Sequence, residues 1–268
     1  MGNWVRAGKV ISIYLQEFGD SGAPLMIHIE GHGAQLISVP KSYCQRLAQA
    51  GFHVIRFDNR DVGRSSRVPH PYDLGDMAND VAEVIAAYGS PAIVTGRSMG
   101  GAIAQLLALE HPEMVAGLGL FFTYSKSAAS AVNPIRQAPY TSVSQFKKWH
   151  FGQINKIAGS KYPWDEQQLN DLVTNCWRRG FSWEGLERQR QAMERTEPWA
   201  KRLEEIKVPV SIVHGEEDQV IPLAAGKQLH RLIPHSRLHL VAGMGHQQPS
   251  QAEELFIQAT LEAAGCSG

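Results

Sequence analysis

A tight turn between a strand and a helix constrains this chain most. Pro91-Ala92-Ile93-Val94 is an apolar run, Thr95-Gly96-Arg97-Ser98-Met99-Gly100-Gly101 follows it, and Ala102 to His111 reads as a helix. Gly-x-Ser-x-Gly between a strand and a helix is the pattern of a nucleophile elbow. Such a turn is too cramped for side chains on either flank. Gly96 and Gly100 supply the missing ones, which leaves Ser98 Oγ bare at the tip. The five-residue pattern alone turns up by chance in roughly one chain in ten of this length. The flanking strand and helix therefore carry the argument.

Short apolar runs alternate with amphipathic ones on either side of this turn. Leu25–Ile29 reads as a strand entering the turn Glu30-Gly31-His32-Gly33, and Tyr43–Ala50 as a helix stopped by Gly51. His53–Phe57 is a second buried strand, Asp76–Tyr88 a helix closed by Gly89, and Val115–Phe122 a further strand. The alternation resumes with a strand at Val208–Gly215, a helix at Ala224–Ile233, a strand at Arg237–Val241 and a last helix at Gln251–Ala264. Strand–helix alternation predicts an α/β fold whose parallel sheet is covered on both faces. Between Ser125 and Pro198 it stops. Three polar, aromatic-dotted stretches, Ser144–Ile157, Glu166–Arg179 and Trp183–Arg195, predict helices instead. The expected organisation is a core of residues 1–124 and 199–268 with a helical cap of residues 125–198.

A serine hydroxyl needs a base to take its proton, and the base needs an orienting acid. In elbow enzymes they follow along the chain as Ser, acid, His. Gly215-Glu216-Glu217-Asp218 places three carboxylates just past a strand end, and Gly243-Met244-Gly245-His246 places a histidine past the last strand. The spacing of Asp218 to Pro222 favours Asp218 over Glu216 and Glu217 as the orienting acid. The developing oxyanion also needs donors. The N–H after the nucleophile, Met99, is one, and the early turn supplies the other at His32 or a neighbour.

With these segments in view, the chain resembles the α/β-hydrolases. The resemblance rests on Gly96–Gly101, on Asp58-Asn59-Arg60-Asp61-Val62-Gly63-Arg64-Ser65, on Tyr72–Leu74 with Asp76–Ala78, and on Gly243–His246. In pattern it is similar to the aclacinomycin methylesterase-like branch, which hydrolyses methyl esters on polyketides. It covers roughly residues 21–124 and 199–262. It implies a mostly parallel eight-stranded sheet with helices on both faces, a Ser98–Asp218–His246 triad, and backbone donors at His32 and Met99. Two positions depart from the pattern. Arg97 precedes the nucleophile and Glu30 precedes the early glycine, where uncharged residues are usual. The resemblance sets their strands side by side, so we expect a supporting ion pair between Glu30 and Arg97, since a lone buried charge is costly.

Several other expectations follow. The charges of the Asp58–Ser65 loop are expected to satisfy one another within a structural turn. Cap aromatics, with Trp149, Trp164, Trp177 and Trp183 as candidates, are expected to line the substrate pocket. Formal net charge is zero, which gives no reason to expect a nucleic-acid partner. The three cysteines, Cys44, Cys176 and Cys266, are odd in number and widely spaced, which suits a reducing compartment. No stretch approaches the about 20 apolar residues of a membrane span, and Met1–Arg6 lacks a signal peptide's apolar run. A cytoplasmic monomer or homodimer with no metal and no cofactor is expected, acting on a small-molecule ester or lactone. The alternatives are a C–C bond hydrolase with the same triad, and a receptor-like protein of low turnover.

Overall fold

Eight strands form one sheet in the order β1-β2-β4-β3-β5-β6-β7-β8 in the computed structural model, which describes residues 2–7, 11–89 and 91–266. Met1, Ser267 and Gly268, at the ends of the expected core, lie outside the described residues. β3 (Leu25–Ile29), β4 (His53–Phe57), β5 (Ala92–Arg97), β6 (Val115–Phe121), β7 (Val210–Gly215) and β8 (Arg237–Val241) are mutually parallel. The first two strands, β1 (Gly2–Ala7) and β2 (Ile11–Phe18), pair antiparallel with each other, and β2 pairs antiparallel with β4. They add a hairpin to the edge that the strand–helix alternation does not contain. β2 does carry the signal of a strand, with Ile11, Ile13 and Leu15 alternating against Ser12, Tyr14 and Gln16.

Helices cover both faces. Residues of α2 (Leu74–Tyr88), α3 (Met99–Glu110) and α7 (Leu223–Leu232) share one apolar cluster with Ile27, Val94, Leu118 and Ile212. Residues of α1 (Lys41–Gln49) and α8 (Glu253–Ala263) share the other with Met26, Ile93, Phe121 and Val213. Alternate residues of each strand thus feed opposite faces. Helices α1, α2 and α3 each start two or more residues earlier than their apolar spacing suggests. Asp73 and Asp76 close a reciprocal capping box that begins α2 at Leu74, and α3 begins directly after Ser98.

Three helices stand between β6 and β7: α4 (Val143–Asn155), α5 (Glu166–Arg178) and α6 (Trp183–Arg195). Ser142, Asp165 and Ser182 cap them, each accepting a backbone N–H three residues on. Their own apolar cluster is small, built on Phe146, Leu169 and Val173. Among the described residues, no helix is long and apolar enough to cross a membrane.

The Asp58–Ser65 loop corrects an expectation. No guanidinium–carboxylate pair closes within it. Asp58 accepts the Leu36 and Arg64 N–H groups at 2.8 and 2.9 Å and pairs with Arg179 at the end of α5. Asp61 accepts from Val68 N and Tyr72 Oη and binds Arg188 of α6 through both oxygens, at 2.9 and 2.7 Å. Arg60 turns the other way, to Asp80 on α2. The loop's acids hold α5 and α6, because their charged partners arrive from more than a hundred residues away in sequence.

Candidate active site

Ser98 sits at the strained turn its glycines predict. Its φ is 52°, a left-handed value that a serine holds only when the surroundings impose it. The surroundings are backbone. A Cβ at Gly96 would run into the Gly100 carbonyl, and one at Gly100 into the Ile29 carbonyl. Thr123 Oγ1 donates to the Ser98 carbonyl at 2.6 Å, and the Ser98 N–H bonds the Phe121 carbonyl at 3.0 Å. The residue itself is half-buried, facing a cavity.

Asp218 and His246 meet. Asp218 Oδ2 lies 2.7 Å from His246 Nδ1, while Oδ1 accepts the Val220 and Ile221 N–H groups at 2.9 and 2.8 Å. With Nδ1–H donating to the carboxylate, Nε2 of His246 is left as the free acceptor, the tautomer a base requires. Glu216 and Glu217 are exposed. Glu217 accepts the Ser160 N–H and hydroxyl, both at 2.7 Å, and so ties down the chain between α4 and α5. That same chain pins the histidine loop. The His246 N–H donates to the Ile157 carbonyl at 2.8 Å and the Lys161 N–H to the Gly243 carbonyl at 3.1 Å. A Cβ at Gly245 would strike the Ile157 carbonyl, which is why this loop needs glycine.

The early turn passes close over the serine, with a Cβ at Gly31 falling 3.1 Å from Ser98 Cβ. The N–H groups around His32 are taken: Gly31 N donates to Glu30 Oε2 at 3.1 Å and Gly33 N to Gln189 Oε1 at 2.8 Å. Among the described residues, no protein acceptor takes the His32 N–H between them or the Met99 N–H at the start of α3. The His32 ring points away, Nε2 bonding the Leu186 carbonyl at 2.7 Å, and burial lowers its pKa. Glu30 and Arg97 meet as an ion pair, with Arg97 Nε 3.3 Å from Glu30 Oε2 and Nη2 on Oε1. Both are buried.

Ser98 and His246 line one cavity of about 720 Å³ between the strand ends and α4–α6. Trp149, Trp164 and Trp183 line it too. Trp177 does not. Its ring packs 4.8 Å from that of Phe146 inside the cap's own cluster, because α5 turns that face inward. The lining also holds His150, whose burial against Phe146, Trp149 and Phe181 brings its pKa down to about 4 and keeps it neutral. Cys176 lines it as well, its thiol pushed up to about 12 by burial and so held protonated. Among the described residues, no group of three or more His, Cys, Asp or Glu is placed to hold a metal ion.

The family model described as serine aminopeptidase, S33, matches residues 27–250. The chain belongs to this α/β-hydrolase family. It is 29% identical over 267 residues to a non-heme haloperoxidase of Rhodococcus erythropolis, covering 91% of this chain and 92% of that protein. It is 28% identical over 288 residues to rhodomycin D methylesterase DauP of a Streptomyces strain, covering 96% and 94%. Its fold is similar to that of an enol-lactonase from Burkholderia xenovorans, with TM-score 0.82, 18% identity, and 98% and 100% of the two chains covered. An esterase from Exiguobacterium antarcticum superposes with TM-score 0.76 at 24% identity, covering 99% and 100%.

Within this α/β-hydrolase site, sequence reasoning missed three contributors. Phe122 closes the cavity floor, its ring 4.9 Å from that of His246, and its φ of 36° follows from the sharp exit of β6. Gln248 reaches back to Arg97, with Oε1 3.4 Å from Nη1. The Ile157 carbonyl holds the histidine loop from the cap side. The only one of these with a local signal is Phe122, at the end of its strand. The others act through contacts that no spacing announces.

Proposed function

We propose that this α/β-hydrolase cleaves a carboxylic ester or lactone of a medium-sized apolar substrate through an acyl-enzyme. The observation that carries the reading is the pairing of a serine in an imposed turn with a histidine whose Nδ1 is committed to Asp218, both on the wall of one aromatic cavity. A site for a drug-sized ligand spans about 300–1,000 Å³, and the cavity volume of about 720 Å³ suits such an acyl or alcohol group. Of its charged lining groups, Glu30 and Arg97 neutralise each other and Arg136 is paired with the buried Glu187, which favours an uncharged substrate. The names of the relatives, a methylesterase among them, support ester chemistry.

In this reading Ser98 Oγ attacks the carbonyl carbon as His246 Nε2 takes its proton. The carbonyl oxygen becomes an oxyanion held by the His32 and Met99 N–H groups, which have no other acceptor among the described residues. Asp218 holds the imidazolium. The tetrahedral centre collapses, His246 gives its proton to the departing alkoxide, and the acyl group stays on Ser98. Water, deprotonated by His246, then attacks the acyl-enzyme, and the acid leaves with Ser98 restored. Residues 125–198 act as a cap that shapes the substrate-binding side.

A panel of nitrophenyl and methyl esters of increasing size, with Ser98→Ala as the control, tests this. We expect turnover by the wild type and a loss in kcat of about 10³-fold or more in the variant. A serine-directed organophosphate should add to Ser98. Undiminished hydrolysis by Ser98→Ala sinks the mechanism. Turnover of a vinylogous diketone with no ester hydrolysis moves the reaction to C–C cleavage.

A further inference from the structure

The residues that precede the two N–H donors are cross-linked beneath them. β3 and β5 run parallel with His28 opposite Thr95 and Ile29 opposite Gly96. Glu30 and Arg97 therefore leave the sheet side by side. Arg97 Nη2 and Nε bind the two Glu30 oxygens, the second at 3.3 Å, and the oxygen that takes Nε also accepts the Gly31 N–H at 3.1 Å. Asn59 Nδ2 holds the Glu30 carbonyl at 3.0 Å. The remaining arm of the guanidinium, Nη1, lies 3.4 Å from Gln248 Oε1, two residues beyond His246.

A buried pair of this kind is an expensive way to stabilise a fold. Well-packed apolar residues of the same volume usually do as well or better. What an apolar pair cannot do is accept the Gly31 N–H. That bond and the Gly33–Gln189 bond fix the peptide planes on either side of the His32 N–H, which is thereby left bare and aimed. Arg97, the residue before Ser98, carries the constraint to the elbow and on to the histidine loop. Three segments that arrive from different parts of the sequence thus share one guanidinium.

We propose that Glu30 and Arg97 are positioning residues for the oxyanion hole, holding the His32 N–H, the Met99 N–H and the His246 loop in one fixed arrangement. The proposal rests on the ester-hydrolase reading and deepens it. Neither side chain exchanges a proton with the substrate. Their effect is on where the donors stand when charge develops on the carbonyl oxygen.

Two variants separate this role from plain stabilisation. Glu30→Gln keeps an acceptor for the Gly31 N–H but weakens the grip of Arg97. The exchanged pair, Glu30→Arg with Arg97→Glu, keeps two opposite charges in contact but sets a guanidinium, which accepts nothing, beside the Gly31 N–H. The readouts are Tm, kcat and KM on the best ester, and affinity for a trifluoromethyl ketone, which forms a tetrahedral oxyanion on Ser98. We expect the exchanged pair to recover most of the Tm and yet lose about 100-fold in kcat, as removal of a hole donor does, with KM within about threefold. Affinity for the ketone should fall in step with kcat. Glu30→Gln should lose about tenfold in kcat at nearly unchanged KM. Recovery of kcat together with Tm in the exchanged pair, or unchanged ketone affinity, overturns the proposal. If the exchanged pair does not fold, Glu30→Gln decides, and wild-type kcat there overturns it too. Ser98→Ala run alongside separates the two readings. An inactive Ser98→Ala beside a fully active Glu30→Gln removes only the positioning role, whereas an active Ser98→Ala removes the ester-hydrolase reading itself.

Discussion

The strand-end loops around Ser98 and the helices above them are held by different forces. In the loops, backbone touches backbone. Gly96 and Gly100 each sit where a single methyl group would strike a carbonyl, and large apolar clusters press from both faces of the sheet. Helices α4–α6 have only a small apolar cluster of their own, Phe146, Leu169 and Val173 with their partly buried neighbours. Besides backbone contacts at Ile157, Lys161 and Gly185, this region is fastened to the core by polar side chains: Arg179 to Asp58, Arg188 to Asp61, and Gln189 to the Arg60 carbonyl and the Gly33 N–H. Close packing gives the chemistry a frame with no slack. Charged and amide contacts give the substrate side a fixed seat while leaving its aromatic lining free to differ. A change to the backbone frame should therefore be felt as lost folding, and one to the cavity lining as altered binding.

The largest effect is expected from Gly100→Ala. The new Cβ would meet the Ile29 and Glu30 carbonyls, which belong to a central strand and its exit and cannot yield. A loss of about 4 kcal/mol or more in denaturant unfolding is expected. A stable Gly100→Ala protein would show that the elbow has slack after all. Next comes Asp61→Asn, which keeps a side chain suited to the left-handed φ of 73° at this position but leaves Arg188 without its carboxylate. About 3 kcal/mol is expected, discounted for the partial exposure of Arg188. Amide hydrogen exchange should quicken in α6 and not in β5. If both quicken together, cap and core unfold as one unit and the contrast drawn above is wrong. Within the cap, Trp177→Ala should cost about 2 kcal/mol, since the ring is only half-buried, and should leave ester preference alone. Trp164→Ala, whose ring packs against the same cluster but also lines the cavity, should cost a similar amount of stability and in addition shift kcat/KM between small and large esters by about tenfold. Equal effects of the two on preference would erase the distinction between lining and cap core.

How far the sequence could be read follows the same divide. The elbow is legible because its constraint is local: glycine on both sides of a serine, strand before, helix after. The helices α5 and α6 are legible to within a residue because capping and amphipathic spacing are local too. The acid was narrowed to one loop by its position after a strand, and Asp218 was favoured there by spacing, but only the fold turns Glu217 towards Ser160 and Asp218 towards His246. The hairpin β1–β2 escaped the strand–helix reading because an antiparallel edge carries half its face to water, and Trp4 is 55% exposed. The Asp58–Ser65 loop misled because its four charges look complementary along the chain.

What the sequence by itself determined is the set of conformations that steric exclusion and hydrophobic periodicity enforce over a few residues. These include the turn that bares Ser98, the alternation that builds a covered parallel sheet, and the chain order of serine, acid and histidine. The tertiary structure alone decided which distant charges meet. Asp58 finds Arg179 across a separation of 121 residues, and Arg97 finds Gln248 across 151. Electrostatic and hydrogen-bond partners are chosen by proximity in space after burial has removed water as the competitor, and chain position says little about that proximity.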